Sequence, residues 1–372
     1  MWNLAVSAAW LDGGMPSYDA LLLVSFGGPE DRADVIPFLE NVTRSRGVPA
    51  DRLEQVAEHY YRFGGVSPIN QQCRDLIAAI GKDFAASGVD LPIYWGNRNW
   101  DPYLTDTVAA MAAGGVRSAL AFVTAAYSSF SSCRQYLDDI ARARAQLGDS
   151  APRIDKLRQY FNHPGFIEPF ADAAAAAAGS LPAAVGADAD LVFTAHSIPL
   201  AMAAASGPGG GAYQRQLTEA ARLVAERVRA RSWRLAYQSR SGPPSQPWLG
   251  PDVCDCLGDL ARSGSRAVVL VPIGFVSDHL EVRYDLDVAA AQEAGKLGLA
   301  LARAATPGTD PRFAAMVTEL VRERLDGLEP RALGNLPPAA DSCPGDCCGA
   351  GAGRPPHRTG AAGSADAAGA AG

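Results

Sequence analysis

The chain has 372 residues, 48% hydrophobic and 20% charged, which suits one large or two medium α/β domains with a sizeable core. Its formal net charge is −7 and it has no Lys/Arg-rich block, which excludes nucleic-acid binding because a phosphate backbone requires a clustered basic surface. No uninterrupted apolar stretch reaches 18 residues, so the sequence predicts no membrane-spanning helix.

The beginning of the chain makes a poor signal peptide, because no basic residue precedes its short apolar part. We interpret residues 1–14 as an extension that is not native, with Met15 as the true start. The seven cysteines do not form the framework of a secreted disulfide-rich protein. Together these two features predict a cytoplasmic protein.

Short apolar runs alternate with helix-length amphipathic segments. The runs predict strands at 19–26, 91–98, 118–125, 189–197, 233–239 and 266–275. Their continuous apolarity is typical of strands buried on both faces of a parallel sheet. The segments between and after the runs predict helices at 53–62, 70–86, 102–113, 134–146, 213–230, 252–262 and 311–325. This βαβ rhythm predicts doubly wound sheets of the α/β class.

The rhythm pauses near residues 148–165 and then restarts in the same order, which predicts two similar domains, 15–150 and 151–335. A cysteine-containing segment, 336–348, comes after them. Residues 349–372 contain almost no large apolar side chain, so we expect a disordered tail there. Ligands bind outside the carboxyl ends of parallel strands, which places the expected cleft between the two sheets.

His196 lies at the end of a predicted strand, after the apolar run LVFTA. Histidine has a pKa of about 6.5, so it can take a proton at neutral pH or bind a borderline metal through its neutral imidazole. It can equally cap the strand end by hydrogen bonding. Position alone does not decide between the two interpretations.

The segment GFVSDHLEVRYDLD comes after the last predicted strand and contains Asp278, His279, Glu281, Asp285 and Asp287. Carboxylates and imidazole together suit a divalent first-row metal. Glu281 and Asp285 are four residues apart, so on a helix they share one face and could pass a cation or protons along it. Taken alone, the segment is better explained as a helix whose acidic first turn complements the helix dipole.

Several loops suit a broad, flat ligand. SFGGPE (25–30) and FGGVSPIN (63–70) pair glycines that let the backbone approach a ligand, although ordinary tight turns explain each one. YSSFSSCRQY (127–136) mixes aromatic and hydroxyl groups after a strand. The Pro-rich YQSRSGPPSQPWLGPDV (237–253) is unusually long for a connector, which favours a lid or a domain-spanning loop.

Cys343, Cys347 and Cys348 crowd into SCPGDCCG near the end of the folded part. Three thiolates are one ligand short of a four-cysteine iron-sulfur or zinc site, and Cys133 is the best-placed fourth donor. The spacing C-x₃-C-C is not a standard zinc spacing. The alternative is a set of free thiols on a mobile tail.

Six runs, taken in chain order over about residues 18–348, resemble the ferrochelatase family. They are YDALLLVSFGGPE, GGVSPIN, GNRNW, FTAHSIP, YQSRSGPP with PWLGPDV, and GFVSDHLEVRYDLD. The resemblance implies a lyase of haem biosynthesis that inserts Fe²⁺ into a porphyrin. It also implies two Rossmann-like domains with parallel four-stranded sheets, as in chelatases, and an active-site cleft between them. Likeness to actinobacterial members implies coproporphyrin III as the substrate, with protoporphyrin IX as the alternative.

The resemblance also assigns roles to individual residues. His196 of TAHSIP matches the family's active-site histidine and Glu281 of DHLEV its acidic partner, and both would bind iron or move protons. Asp285 would continue an acidic path from Glu281. Ser67 and Tyr136 would lie near the ring or its propionates. The stretch that meets propionates in related enzymes contains Arg44, Arg46, His59 and Tyr60.

The sequence departs from the family pattern after the first strand, where Phe26 stands in place of a tyrosine that ligates iron in some relatives. Tyr127 is the candidate substitute for that contact and for a position against the porphyrin. The group of Cys133 with the three terminal cysteines is similar to the 2Fe-2S ligands of actinobacterial ferrochelatases, so the resemblance implies such a cluster here.

The partners implied are coproporphyrin III and ferrous iron, and we expect a monomer. Two other functions compete with this prediction. A chelatase of the same architecture could act on another tetrapyrrole, as cobalt or sirohydrochlorin chelatases do, although the PWLGPDV loop and the cysteine tail argue against it. A non-catalytic haem or metal carrier would bind its ligand without turnover.

Overall fold

A computed structural model describes residues 17–44, 48–242, 245–345 and 347–350. The predicted extension 1–14 and all but the first two residues of the predicted tail 349–372 lie outside this part of the chain. Within it, the strands form two four-stranded sheets that are parallel throughout, with helices between successive strands. The predicted α/β fold with two parallel four-stranded sheets is therefore confirmed.

The strands are β1 (Ala20–Ser25), β2 (Ile93–Asn97), β3 (Ser118–Val123), β4 (Arg153–Lys156), β5 (Asp190–His196), β6 (Trp233–Gln238), β7 (Ala267–Val271) and β8 (Ala300–Arg303). The first sheet has the order β2-β1-β3-β4 and the second β6-β5-β7-β8, so both have one topology. The two central strands of each sheet are buried along nearly their whole length, which explains their continuous apolar sequences.

Helices lie between these strands and after the last one, and the seven helices that the sequence predicts are among them. The helices are α1 (Val35–Thr43), α2 (Ala50–Tyr61), α3 (Ile69–Ser87), α4 (Leu104–Ala113), α5 (Gln135–Ala145), α6 (Pro164–Ser180), α7 (Ala183–Gly186), α8 (Leu200–Ala204), α9 (Ala212–Arg227), α10 (Val253–Arg262), α11 (Leu280–Val282), α12 (Ala291–Leu297) and α13 (Pro311–Leu325). Short 3₁₀ turns cover Arg32–Asp34 and Gly148–Ser150, and π-helical segments cover Phe130–Arg134 and Arg283–Ala290.

Some elements had no strong signal in the sequence. β4 and β8 are edge strands of four residues each, and neither forms an apolar run. α6 contains Pro169 in its interior and begins with a Pro-Gly pair, features that normally mark a break in a helix. β4 also pairs with β3, so the first sheet extends to Lys156, past the predicted domain boundary at residue 150. The domain division itself stays a prediction.

The two halves share one hydrophobic core. A single buried cluster includes Leu21 of β1 and Phe193 of β5, and it continues through α6 and α13. α13 packs against both α3 and α6. Gly165 permits this contact, because a Cβ atom there would lie 2.4 Å from the backbone oxygen of Arg312. The two sheets are therefore held in a fixed relation by common packing.

A buried ion pair also joins α13 to the segment after β4. Nε and Nη2 of Arg158 lie 2.7 and 2.8 Å from the two carboxylate oxygens of Glu323 on α13, and the two side chains are only 2% and 5% exposed. The guanidinium also donates to the backbone oxygen of Arg331, 3.1 Å away. This pairing fastens α13 and the chain beyond it to the segment after β4.

Replacing Arg158 with Met is expected to lower the free energy of unfolding by about 3–5 kcal/mol, because Glu323 is then left buried without a counter-charge. Chemical denaturation followed by circular dichroism measures the change. The matched control is Arg231→Met, whose partner Asp188 lies 3.5 Å away in a pair that is 80% and 65% exposed. That variant should lose about 0–1 kcal/mol. Equal losses in the two variants would contradict the interpretation of the buried pair.

Candidate active site

The site lies where β5 and the chain after β7 leave the second sheet. β5 and β7 are parallel neighbours, so their carboxyl ends meet at one edge. His196 is the last residue of β5, and Glu281 lies in α11, ten residues after β7 ends. Nε2 of His196 is 3.7 Å from Oε2 of Glu281. The two side chains are 36% and 50% exposed, so both are accessible to a ligand.

The backbone fixes the imidazole of His196 in one orientation. Nδ1 lies 2.5 Å from the carbonyl oxygen of Ser197, and the hydroxyl of Tyr213 donates to the carbonyl oxygen of His196 at 2.9 Å. A carbonyl oxygen can only accept a hydrogen bond, so Nδ1 carries the proton of the neutral ring. Nε2 therefore presents a free lone pair toward Glu281, where it can accept a proton or bind a metal.

Asp285 lies behind this pair, in the π-helical segment next to α11. Its carboxylate accepts hydrogen bonds from Oγ of Ser239 at 2.5 Å and from Nε2 of Gln238 at 3.3 Å. Burial, followed by the charge of Glu281, raises the pKa of Asp285 to about 6, and the bond from Ser239 opposes the rise. The acidic group is thus able to change protonation state near neutral pH.

The backbone around Asp285 departs from regular geometry at two places. Arg283–Ala290 is π-helical, a rare form that is frequent at functional sites. Ser239 has φ of 60°, in the left-handed region that non-glycine residues seldom adopt. Both irregularities position groups that contact or flank the carboxylate. We infer that the local fold is shaped to hold Asp285.

Helices α1 and α2 of the first half pack against α11. Leu280 of α11 is buried in an apolar cluster with Phe38 of α1 and Tyr60 of α2. Burial, followed by the charge of Glu281, raises the pKa of Tyr60 well above its usual value. Beside this cluster the rings of His59 and Tyr284 stack at 3.7 Å with an interplanar angle of 9°. The first half of the chain therefore contacts the second directly at the site.

A cavity of about 510 Å³ opens beside the stacked rings. It is lined by charged and aromatic side chains, namely Arg32, Glu58, His59, Tyr61, Arg62 and Tyr284. The guanidinium carbon of Arg32 lies 3.9 Å from the ring centroid of Tyr61. Guanidinium groups bind carboxylates well, so this cavity suits a ligand with acidic substituents.

The structure does not bring all the predicted porphyrin contacts to this site. Ser67 is buried, and its amide donates to the oxygen of Pro29. Arg44 is exposed and hydrogen-bonds to Asn41, whereas Arg46 lies outside the described residues. Tyr60, by contrast, lies close enough to Glu281 to respond to its charge. Of these residues, Tyr60 is the one whose pKa is raised by burial and, in addition, by the charge of Glu281.

The two predicted tyrosine contacts after β3, one in the loop and one in α5, are both buried. Tyr127 is buried, and its hydroxyl donates to the backbone oxygen of Ile273 at 2.8 Å. Tyr136 is buried beneath the guanidinium of Arg98, 4.7 Å from the ring centroid. The hydroxyl of Tyr127 is bonded to the backbone in this conformation, and its role as the substitute for the contact absent at Phe26 stays a prediction.

The predicted cysteine group does come together, at a distance from His196 along the chain. Cys133, Cys347 and Cys348 form a small buried cluster of their own, and Cys343 interacts with Cys347. Sγ atoms of Cys347 and Cys348 are 3.7 Å apart. The amide of Gly207 donates to Sγ of Cys348 at 3.2 Å. None of the seven cysteines forms a disulfide.

Cys133 and Cys343 differ in pKa because their surroundings differ. A hydrogen bond from Cys348 and, to a smaller extent, the nearby charge of Lys156 lower the pKa of Cys133 to about 6, although burial acts in the opposite direction. Burial raises the pKa of Cys343 to about 11. Across the described part of the chain, no three His, Cys, Asp or Glu side chains already stand in an arrangement that would hold a single metal ion. The thiols lie close together, but they are not arranged to coordinate a single metal ion.

Several residues of these sites have little or no signal in the sequence and were not predicted from it. Gln238 and Ser239 stand at the end of β6, and the rule that ligands bind at the carboxyl ends of strands points to them. Tyr213 lies 17 residues beyond His196, and no local pattern connects the two. Lys156 had one available signal, since it is one of three lysines in a chain that otherwise uses arginine.

Comparison with known proteins agrees with this geometry. The family model described as Ferrochelatase matches residues 18–325. This chain belongs to the ferrochelatase family. The family resemblance of the six sequence runs is thereby confirmed, and it extends over the sheets, His196 and Glu281.

The ferrochelatase relatives are similar over most of their length. The chain is 57% identical to a protein of Nocardia farcinica named coproporphyrin III ferrochelatase, over 93% of this chain and 99% of that protein. It is 54% identical to the protein of that name from Streptomyces coelicolor, over 91% and 95%. A solved structure, SirB from Bacillus subtilis with Fe³⁺, matches with a TM-score of 0.50 and 12% identity, over 83% and 96%. The structural match shows a common fold.

One further observation concerns membranes. In the portion that the structure describes, no helix combines the length and the apolarity that crossing a bilayer requires. This agrees with the absence of a long apolar run in the sequence.

Asp285→Asn is expected to stabilise the folded protein at neutral pH. The folded pKa of Asp285 is raised from 3.8 to about 6, so its ionisation opposes folding above pH 6, whereas below pH 3.8 it is neutral in both states. Since Asn is always neutral, the variant should gain about 1–3 kcal/mol at pH 8, and the gain should disappear toward pH 3.8. Unfolding by denaturant at several pH values measures it.

Asp149→Asn is the matched control, because it removes an exposed carboxylate that lies far along the chain from the site. It should leave the unfolding midpoint nearly unchanged at each pH. A constant difference between wild type and Asp285→Asn from acid to neutral pH would show that Asp285 does not titrate as described.

Proposed function

We propose that this protein inserts Fe²⁺ into coproporphyrin III, giving Fe-coproporphyrin III in haem biosynthesis. The observation that carries the proposal is the distance of 3.7 Å between Nε2 of His196 and Oε2 of Glu281, with both side chains accessible. The names of the relatives from Nocardia farcinica and Streptomyces coelicolor support coproporphyrin III as the substrate. Family membership supports the reaction.

Metal insertion needs a base, because a free-base porphyrin carries two N–H protons that leave as Fe²⁺ binds the four nitrogens. His196 accepts one proton at Nε2, and Nδ1 keeps its own proton because it is bonded to the oxygen of Ser197. Glu281 draws the ferrous ion toward the ring by its charge. Glu281 accepts the second proton, and Asp285, with a pKa of about 6, receives it from Glu281.

The cavity beside the site offers a place for the acidic substituents of the porphyrin. Coproporphyrin carries more propionates than protoporphyrin, and Arg32 and Arg62 add positive charge to the cavity wall. The individual porphyrin contacts that the family resemblance implies stay predictions. They concern Ser67, Arg44, Arg46, Tyr60, Tyr127 and Tyr136.

We also propose that Cys133, Cys343, Cys347 and Cys348 hold a 2Fe-2S cluster. The donor set fits the group, because four free thiols from two distant parts of the chain are adjacent and two of them are 3.7 Å apart. Two thiolates bound to one tetrahedral metal, with bonds of about 2.3 Å, are separated by about 3.8 Å. Such a cluster would tie the end of the chain to the loop after β3.

The cellular setting belongs to the same proposal. A cytoplasmic enzyme is supported by the seven free cysteines, since reducing compartments keep thiols unpaired. A monomer is the expected state. The competing functions are a protoporphyrin IX ferrochelatase, a cobalt or sirohydrochlorin chelatase, and a carrier without turnover.

His196→Ala is expected to lower the rate of Fe²⁺ insertion by at least about 100-fold, because the general base is lost, while porphyrin binding stays close to wild type. Insertion is followed anaerobically by absorbance with coproporphyrin III and protoporphyrin IX in parallel, and binding by porphyrin fluorescence. Glu281→Gln should also lose activity. Its matched control is Glu329→Gln, which neutralises an exposed glutamate outside the site and should remain active.

The wild-type protein should turn over coproporphyrin III faster than protoporphyrin IX. The reverse preference would keep the reaction and change the substrate. Insertion into neither ring would favour a chelatase that acts on sirohydrochlorin. Stoichiometric binding without insertion would favour a carrier. Full activity of His196→Ala would remove His196 from the central role.

Purified wild type is expected to contain two iron and two acid-labile sulfide atoms per chain, with visible charge-transfer absorption. Cys133→Ser should lose both, because one of the four thiolates is missing. Cys254→Ser is the control, since Cys254 lies on α10 outside the thiol group. Wild-type protein without labile sulfide would contradict the cluster proposal.

A further inference from the structure

Lys156 is a buried cation without an acidic partner. It ends the edge strand β4, and it is only 9% exposed. Its ammonium donates to the backbone oxygen of Leu157 at 2.9 Å and to Oε1 of Gln159 at 2.5 Å. Both acceptors are neutral, and among the described residues no carboxylate forms an ion pair with it. A buried charge is costly unless an opposite charge compensates it.

Composition makes this lysine unusual. The chain contains 33 basic residues, of which only Lys82, Lys156 and Lys296 are lysines. Lys82 is exposed, and the side chain of Lys296 is 72% exposed beside Glu293. Lys156 is therefore the one lysine of this chain that is placed inside the protein.

The ammonium group lies near the cysteine group. Its positive charge acts to lower the pKa of both Cys133 and Cys343. A short network holds it there, since Gln159 accepts from Lys156 and in turn donates to the oxygen of Tyr127 at 3.2 Å. The same oxygen accepts from Oγ of Ser132, the neighbour of Cys133. These hydrogen bonds hold the ammonium beside the segment that contains Cys133.

We propose that Lys156 is a positioning and tuning residue that raises the reduction potential of the group held by the four cysteines. The inference rests on the proposed cluster. Four thiolates around two iron and two sulfide ions give a site with net negative charge, and one-electron reduction adds another. A fixed ammonium near the sulfurs stabilises the reduced form more than the oxidised form.

A mobile cation at the surface would not act in this way. A surface lysine is screened by water and counter-ions, whereas a buried charge is screened much less. The two oxygen acceptors and the backbone of β4 keep the ammonium in place when the oxidation state changes. Lys156 would therefore favour reduction by a constant amount.

Lys156→Met is expected to lower the equilibrium constant for one-electron reduction of the cluster at least tenfold, a shift of about 59 mV to more negative potential. The measurement is an anaerobic spectroelectrochemical titration of the full-length protein, followed by its visible absorption. Lys156→Arg keeps the charge and should return most of the shift. Lys82→Met is the matched control and should leave the midpoint unchanged.

The outcomes separate this inference from the cluster proposal on which it rests. A wild-type protein with no labile sulfide overturns both. A cluster present in wild type and in Lys156→Met with the same midpoint overturns the role of Lys156 alone, even if the variant is less stable. If Lys156→Met loses the cluster, Lys156→Gln and Lys156→Arg are compared; retention only in the Arg variant supports the requirement for a cation, and loss in both overturns it.

Discussion

The parallel pairing of β5 with β7 is the constraint on which the site depends. Parallel neighbours end at one edge, and this alone brings His196 and the segment of Glu281 together although 85 positions separate them in the numbering. The backbone then fixes the imidazole through Ser197 and Tyr213, and the π-helical segment places Asp285 behind it. These contacts adjust the positions of side chains that the pairing of β5 with β7 has already brought together.

The sequence predicted the features that continuous apolarity and strand ends determine. Central strands and His196 belong to this class, as do the long amphipathic helices. Prediction failed where tertiary contacts decide. β4 is an edge strand without an apolar run, and Ser239 adopts a left-handed backbone for which no local residue pattern gives a signal. The sequence also contains no indication that Tyr127 is buried, because a loop sequence does not reveal which of its side chains pack inward.

Two regions of irregular helix lie at the candidate functional residues. One contains Asp285 and the other contains Cys133. The start of α9 and the loop before it contact both groups, because Gly207 donates to Cys348 and Tyr213 donates to the carbonyl oxygen of His196. Elsewhere helices and strands pack around buried apolar clusters, one of which includes residues of both sheets. The irregular backbone is thus found beside the candidate functional groups.

The position of the four cysteines also sets an order of events during synthesis. Cys133 leaves the ribosome early, whereas its three companions lie beyond α13 and emerge 210 residues or more later by the numbering. At about 5–20 residues per second, this interval is roughly 10–40 s. The thiol group can be completed only after residue 348 has been translated. A product that terminates before Cys343 would carry Cys133 without its three companions.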